Sequence, residues 1–350
     1  ADFSIEKSFW NPIKSTVHQN SSNDLLGRLR NVMLQAIGFA FSIVLPNLFL
    51  MALGYDMKRR SALNAEFIEV ASSIVFNYCL PCLLFFSVLK SDVQILAQSK
   101  LLLAGFITTF TLFFLAEIYA KFFISELKDK GVFVQGVFRS NMAIVSLATV
   151  FNAYGSEGLG VGAIYMGVIT ILYNVLAVIT LSRTTQKADS VFMQAKSILV
   201  KIIKNPLIIA LVSAFVYKAL DLPMLPEFIN KTGGLLGAVA LPLALICAGA
   251  TLNIKSMISL SGLSMQASIG RIVIAPLLAV VVGVAFALEP LQFGVLFLMV
   301  ASPAAAASYV MAKAMGGNDI LAANILGFTT VFGMIGMAVG MALLRVLGWA

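Results

Sequence analysis

The chain has 350 residues, of which 60% are hydrophobic and only 11% charged, and its mean hydropathy is +0.96. This composition excludes a soluble globular domain and indicates a polytopic α-helical membrane protein. A β-barrel is excluded because the apolar runs are long and continuous rather than alternating. The net charge of +8 comes from cations in short loops between these runs, which is typical of membrane topology rather than of nucleic-acid binding.

The N-terminal segment, residues 1–32, is polar and lacks the apolar core of a signal peptide. One interpretation is a short interfacial helix over Asp24–Arg30. The other is a leader, an expression scar or a misassigned start, with Met33 as the natural first residue, and we favour this second interpretation.

Ten apolar segments follow, each near the roughly 20 residues that a helix needs to cross a bilayer. Lys and Arg are concentrated in alternate loops, so the positive-inside rule places these loops in the cytoplasm and both termini outside. We therefore predict ten transmembrane helices over residues 34–55, 66–89, 100–124, 132–153, 158–181, 202–220, 232–253, 265–288, 291–314 and 320–347.

The longest internal polar break, residues 182–201, divides the spans into five and five. An odd number of spans in each half implies opposite orientation, which is an inverted repeat. Three landmarks recur in the second half at nearly one common offset: Leu80-Pro81 with Leu241-Pro242, Pro46 with Pro206, and Tyr154-Gly155 with Met315-Gly316. We predict a polar segment over residues 1–32, a first five-helix repeat over 33–186 and a second over 187–350.

The fourth span carries an unusual set of polar residues for a membrane helix: Gln135, Arg139, Ser140, Asn141 and Asn152. An ionisable residue inside a span is costly and usually faces a cavity or a partner. Arg139 offers a positive charge and a planar fork of donors that suits a carboxylate, so we predict that Arg139, Ser140 and Asn141 bind substrate. A salt bridge or snorkelling to cytoplasmic water are the alternatives for Arg139, and snorkelling is our expectation for Arg271 in the eighth span.

The ninth span contains Pro303 among small residues, which predicts a broken helix at membrane depth. The N-terminal ends of half-helices attract anions, so we add Pro303, Ala304 and Ser308 to the predicted substrate site. Pro81 and Pro242 predict kinks in the second and seventh spans, since a mid-span proline frees the carbonyl four residues earlier.

The carbonyl that Pro81 would free lies at Asn77, and we include Asn77 in the substrate site. The alternative is a kink that neighbouring helices repack, without a binding role.

The interior of the spans is also informative for what it lacks, because no span holds a carboxylate near its centre. A cation carrier would need such ligands, so the cargo is not expected to be a cation.

The composition and motifs also argue against several other classes of protein. Cys79 and Cys82 have a CxxC spacing without a second pair, so we predict packing residues and no zinc site. The single histidine, His18, argues against histidine-ligated metals and Ser-His-Asp catalysis. No phosphate-binding loop for ATP is present. We predict no enzyme activity and no cofactor, and leave the coupling ion open between H⁺ and Na⁺.

Six runs together resemble the auxin efflux carrier family in its bacterial, malate permease-like branch: Asn77–Phe85, Gln135–Asn141, Tyr173–Val178, Lys204–Ile208, Leu241–Leu245 and Ala301–Ala304. The resemblance implies two inverted five-helix repeats, a crossover of the fourth and ninth spans with substrate bound nearby, and organic anions as cargo. The family often has a proline-containing break after the Arg-x-Asn run, whereas residues 144–149 here contain none. We therefore expect a less sharply broken fourth span.

The combined prediction is an all-α secondary transporter, a permease or efflux carrier of small organic anions such as dicarboxylates or auxin-like carboxylates. It would work by alternating access in the bacterial inner (plasma) membrane. The expected partners are the anion and the lipid bilayer, without nucleic acid, and a homodimer is left open. The alternatives are a sodium-coupled symporter of the bile-acid type and a non-transporting membrane sensor or scaffold, for which the cytoplasmic loops are too short to hold an output domain.

Overall fold

A computed structural model describes the chain over residues 22–90, 94–182, 200, 203–223, 225–252 and 262–350, with side chains from residue 30. The predicted interfacial helix falls at the N-terminal end of the first helix, which begins at Ser22 and runs without interruption to Arg59. Residues 1–21 of the N-terminal segment and the predicted repeat boundary at residues 186 and 187 lie outside the described residues.

The regular elements in these ranges are helices, as predicted. Short π-helical turns over Val75–Cys79, Met142–Ser146 and Gly270–Ile274 join consecutive helices. The helices are α1 (Ser22–Arg59), α2 (Ala65–Ile74), α3 (Leu80–Lys90), α4 (Ser99–Phe123), α5 (Leu127–Phe138), α6 (Leu147–Leu181), α7 (Pro206–Ala219), α8 (Glu227–Ala250), α9 (Gly262–Ile269), α10 (Ala275–Ala285), α11 (Pro290–Ala301), α12 (Ala306–Ala314) and α13 (Asp319–Val346).

Asparagine side chains begin three of these helices. Asn64 accepts from the backbone N–H of Phe67 at 2.7 Å, and Asn205 and Asn318 make the corresponding bonds at 2.9 and 3.0 Å. Each bond satisfies one of the N–H groups that the first helical turn leaves unpaired. Prolines occupy the first position of α7 and α11, where the missing N–H costs nothing.

Seven helical stretches in the described residues are long and apolar enough to cross a membrane. One of them, Met142–Leu181, has 40 residues, about twice the length that one crossing needs. It bends at Gly155, whose φ of 60° lies outside the helical region. The two shorter apolar helices are α7 and α11. The all-helical polytopic class is confirmed, while the number ten, the particular membrane and the orientation of the termini stay predictions.

Two helices are broken at the same place in the core. Helix α5 ends at Phe138 and α11 ends at Ala301, and the extended segments that follow pair with each other. The N–H of Asn141 donates to the Pro303 carbonyl at 2.8 Å, and the N–H of Ala305 donates to the Arg139 carbonyl at 3.1 Å. Here we call this pair of segments, residues 139–141 and 302–305, the crossover.

The crossover corrects one sequence expectation. The fourth span is sharply broken although residues 144–149 contain no proline, and the break begins at Arg139, which has φ −91° and ψ 104°. A proline is unnecessary because the ninth-span segment supplies backbone partners in place of the lost helical hydrogen bonds.

Glycines allow several helices to approach closely around this centre. Helix α1 packs against α8 and α13, and α3 packs against α7 and α8. In α13, a Cβ at Gly340 would lie 2.2 Å from the ring of Phe297 in α11. The Gly336-x-x-x-Gly340 pair therefore serves packing inside the chain, as small residues do in membrane bundles.

Candidate functional site

Arg139, at the crossover, is 7% exposed. Its Nη1 donates to the thioether sulfur of Met311 at 2.9 Å, and its Nη2 donates to Oδ1 of Asn174 at 3.0 Å. Among the described residues no carboxylate lies within ion-pair distance of the guanidinium. The snorkelling and salt-bridge alternatives therefore do not describe its surroundings, and the charge is surrounded by neutral acceptors, of which a thioether is a weak one.

Ser140 ties the crossover to two neighbouring segments. Its hydroxyl donates to the Met299 carbonyl of α11 at 2.7 Å and lies 3.0 Å from the Tyr173 hydroxyl of α6. Since the serine proton is committed to Met299, Tyr173 is the donor in the second bond. The Ser140 hydroxyl thus donates one bond and accepts one within the protein, and its role in substrate binding stays a prediction.

Arg271 corrects the snorkelling expectation, because its side chain is 0% exposed. Its Nη1 donates to the carbonyl of Val137 at 3.0 Å, and its Nε and Nη2 have no hydrogen-bond partner in the described part of the chain. Val137 lies in the last turn of α5, where the helix dipole and the unpaired carbonyls favour a cation. Arg271 therefore stabilises the end of the broken helix instead of reaching water.

A small cavity opens between α5, the crossover, α12 and α13. It has room for about one water-sized group and is lined by Gln135, Gly136, Ala304, Ser308 and Ile325, among others. Two of the predicted site residues, Ala304 and Ser308, thus share one cavity. Gln135 was recognised as a polar residue of the span but was not included in the predicted site; its position one helical turn before Arg139 was the available signal.

The polar atoms that line this cavity are incompletely paired. Gln135 is 1% exposed and Ser308 is 7% exposed, yet Oε1 of Gln135 and Oγ of Ser308 have no hydrogen-bond partner in the described chain. Nε2 of Gln135 approaches the Met311 sulfur at 3.9 Å, the same sulfur that accepts from Arg139. Gln135 therefore links the cavity to the guanidinium.

The remaining predicted residues lie further from this cavity or take backbone roles. The carbonyl of Pro303 and the N–H of Asn141 hold the crossover together. Asn77 is exposed, and its amide donates to Ser73 one turn earlier at 2.9 Å. Pro81 follows the π-helical turn of the second span, and Pro242 lies inside α8. The binding and kink roles of these residues stay predictions.

A family model described as "Membrane transport protein" matches residues 39–341, which is most of the chain. The chain belongs to this membrane transport protein family. The resemblance to auxin efflux carriers is thereby confirmed, and so is the transporter class.

Two similar proteins match this chain over most of its length. The chain is 23% identical over 300 residues to the uncharacterized transporter YfdV of Escherichia coli, covering 83% of this chain and 94% of that one. It is 26% identical over 302 residues to the uncharacterized transporter MJ1031 of Methanocaldococcus jannaschii, covering 85% and 96%. Neither similarity specifies a substrate.

No cluster of three or more His, Cys, Asp or Glu side chains that could hold a metal ion occurs among the described residues of this transporter. The crossover presents hydrogen-bond donors and acceptors and the buried guanidinium of Arg139, while the buried guanidinium of Arg271 lies against the end of α5. Such a site can bind and orient an anion without a covalent step.

Thr329 of α13 supports the crossover through a bond that can be tested. Its hydroxyl accepts from the N–H of Ala304 at 3.1 Å and donates to the Ile325 carbonyl at 2.7 Å. Thr329→Val keeps the shape but leaves the Ala304 N–H buried without a partner, so we expect a loss of about 1–3 kcal/mol of stability. Thermal unfolding of the purified protein in detergent measures this loss.

The matched control for Thr329 is its neighbour Thr330, whose buried hydroxyl bonds, among the described residues, only to the Leu326 carbonyl of its own helix at 2.6 Å. Thr330→Val leaves no N–H unpaired and should change the unfolding temperature little. Equal unfolding temperatures for the two valine variants would contradict a role of Thr329 in holding the crossover.

Proposed function

We propose that the protein is a secondary active transporter of small organic anions that binds the carboxylate of its substrate at Arg139. The observation that carries this proposal is a buried guanidinium at a break in two helices, bonded among the described residues only to neutral acceptors. An uncompensated buried charge is costly, and an anionic ligand with bidentate oxygens would offset that cost.

The two-fold arrangement that such transporters use has support in the backbone. Gly155 and Gly316, which are matched landmarks of the two halves, both have positive φ, at 60° and 74°. Ser61 follows α1 and Asp221 follows α7, and both also have positive φ. Their separation along the chain is nearly the same as that of Gly155 from Gly316. Repeated turn conformations at a repeated spacing favour a duplicated unit.

The packing of the helices supports the same proposal. Helix α1 of the first span packs on α8 of the seventh, and α7 of the sixth span packs on α3 of the second. The two contacts correspond to each other if the second half of the chain repeats the first, since the sixth span is then the copy of the first and the seventh the copy of the second. Helices α4 and α5 pack together as do α10 and α11, and the two broken helices α5 and α11 each have 12 residues. We therefore propose ten spans in two inverted five-helix repeats, with alternating access around the crossover.

Uptake into proteoliposomes tests the proposed function. Radiolabelled mono- and dicarboxylates would be compared with an amine and a neutral sugar of similar size, with and without a sodium gradient and at two external pH values. We expect saturable uptake of at least one carboxylate and none of the amine. Sodium dependence would identify a sodium-coupled symporter, and pH dependence would identify proton coupling.

The same panel can refute the proposal. If no carboxylate is taken up, and none shifts the unfolding temperature of the purified protein, the assignment of an anion as substrate is wrong. Uptake of the amine at a comparable rate would also contradict it, since Arg139 repels a cation at the site.

A further inference from the structure

Arg271 carries the most deeply buried charge among the described side chains, since it is 0% exposed against 7% for Arg139. Its Nη1 bonds to the Val137 carbonyl, but its Nε and Nη2 donate to no described residue. These two nitrogens form one edge of the planar guanidinium, and their parallel N–H groups suit an anion. Buried donors without acceptors cost stability, so this edge suits an acceptor from outside the chain.

A further buried donor lies near this guanidinium. Tyr165 of α6 is close enough to Arg271 to interact with it electrostatically. Its side chain is 0% exposed, and its hydroxyl has no hydrogen-bond partner in the described ranges of the chain. Gly105 of α4 makes room for this side chain, since an added Cβ there would lie 2.4 Å from the ring and 2.9 Å from the hydroxyl oxygen. Three donors in one buried region thus have no acceptor.

The charge of Arg271 is compensated only in part by the chain itself. Among the residues that the structure describes, no carboxylate lies within ion-pair distance of it. The end of α5 contributes about half a negative elementary charge through the helix dipole. Tyr173, which also interacts with Arg271, contributes a phenol. Because an unpaired charge inside a span is costly, a monovalent anion would supply the missing compensation.

Close packing around Arg271 restricts the size of such an anion. Both Arg271 and Tyr165 are wholly buried. Gly270 brings the π-helical turn against α5, where an added Cβ would lie 2.9 Å from the Val137 side chain. A monatomic ion fits these closely packed surroundings better than an extended organic acid does. A water molecule would accept from the same donors but would leave the charge uncompensated.

We infer that Arg271 and Tyr165 bind a small inorganic anion of the size of chloride. The ion accepts hydrogen bonds from Nε and Nη2 of Arg271 and from the hydroxyl of Tyr165, and it joins α6 to the π-helical turn of the eighth span. Such turns occur often at functional sites. The donors of this site are not shared with Arg139, so the inference holds whether or not Arg139 binds a carboxylate.

Thermal unfolding of the full-length protein in detergent tests the inference. Chloride would replace the bulky HEPES anion at constant ionic strength. We expect the unfolding temperature to rise saturably, by about 4 °C when the chloride concentration is about 100 times the dissociation constant. Bromide, which is similar in size, should act like chloride, and the larger methanesulfonate should not.

Four variants assign the effect to this site. Tyr165→Phe keeps the ring and removes one donor, so the chloride dissociation constant should rise about tenfold or more. Arg271→Gln removes the charge and should abolish the chloride dependence. Tyr78→Phe is the matched control, because Tyr78 is 63% exposed, and it should bind chloride as the unaltered protein does. Arg139→Ala should also keep the chloride dependence.

Anomalous diffraction from bromide locates the ion in the unaltered protein and decides the inference even if a variant fails to fold. We expect the signal within hydrogen-bonding distance of Nε and Nη2 of Arg271. Absence of saturable stabilisation by chloride, or stabilisation that Tyr165→Phe and Arg271→Gln retain, would overturn the inference and indicate buried water. Loss of the effect in Arg139→Ala alone would place the ion at the transport site, and the inference would be wrong. Neither result would contradict carboxylate uptake.

Discussion

Replacing Arg139 with alanine should abolish saturable carboxylate uptake. The guanidinium is buried and donates to Asn174 and Met311, which are neutral and can be displaced by a stronger acceptor. Removing one partner of a buried, hydrogen-bonded charge pair costs about 2–5 kcal/mol, which corresponds to roughly a 30-fold to several-thousand-fold loss of affinity. Initial rates in proteoliposomes and dissociation constants in detergent measure the two effects.

The lysine variant separates the charge of Arg139 from its shape. Arg139→Lys keeps one positive charge but loses the planar pair of donors, so we expect an affinity between those of the unaltered protein and Arg139→Ala. Arg60→Ala is the control, since Arg60 is exposed and pairs with Asp56 one turn away at 2.8 Å. This surface pair contributes little, and uptake should not change.

Stability distinguishes a binding role of Arg139 from a structural one. A buried guanidinium without a carboxylate partner pays a desolvation cost, so Arg139→Ala should unfold at a temperature close to that of the unaltered protein. Unchanged uptake in Arg139→Ala would remove Arg139 from the site. A large fall in unfolding temperature together with lost uptake would indicate instead that Arg139 mainly holds the crossover.

The sequence singled out both segments of the crossover because membrane depth makes polar residues and prolines informative. A hydrocarbon environment leaves few reasons for Arg139 or Pro303 to lie in a span, and both belong to the crossover. The direction in which a side chain points is harder to predict, because its position along the helix gives its depth in the membrane but not which neighbouring helix it meets. Arg271 illustrates this difference, since it lies several residues from a span end and still points at Val137.

The break in the fourth span could not be predicted from local residues. A proline predicts a helix interruption because it lacks a backbone donor, whereas the chain breaks at Arg139, where another extended segment provides the missing partners. The position of Gln135 at a cavity could not be predicted locally for a related reason. The importance of its amide oxygen depends on a cavity built by α12 and α13, which belong to the other half of the chain.

The contact between α1 and α8 provides the prediction with the largest effect on stability. A Cβ at Gly54 would lie 1.9 Å from the carbonyl oxygen of Ile246, and a Cβ at Gly249 would lie 1.9 Å from the carbonyl oxygen of Met51. Both obstacles are backbone atoms of the facing helix, so a side-chain rotation cannot relieve them. We expect Gly54→Ala and Gly249→Ala each to destabilise the protein by about 3 kcal/mol or more, at the upper end for overpacking.

Each helix also contains a glycine that serves as a matched control. Gly38 in α1 and Gly234 in α8 have nothing within 4 Å of the position that an added Cβ would take, so alanine fits there. Alanine is the better helix former by about 1 kcal/mol, and Gly38→Ala and Gly234→Ala should be neutral or stabilising. Unfolding temperatures in detergent, measured for all four variants, compare the same chemical change with and without a facing backbone. If Gly54→Ala and Gly249→Ala unfold at the temperatures of their controls, then α1 and α8 do not meet through these glycines. The contact of α1 with α8 would then no longer support the proposed repeat of the two halves.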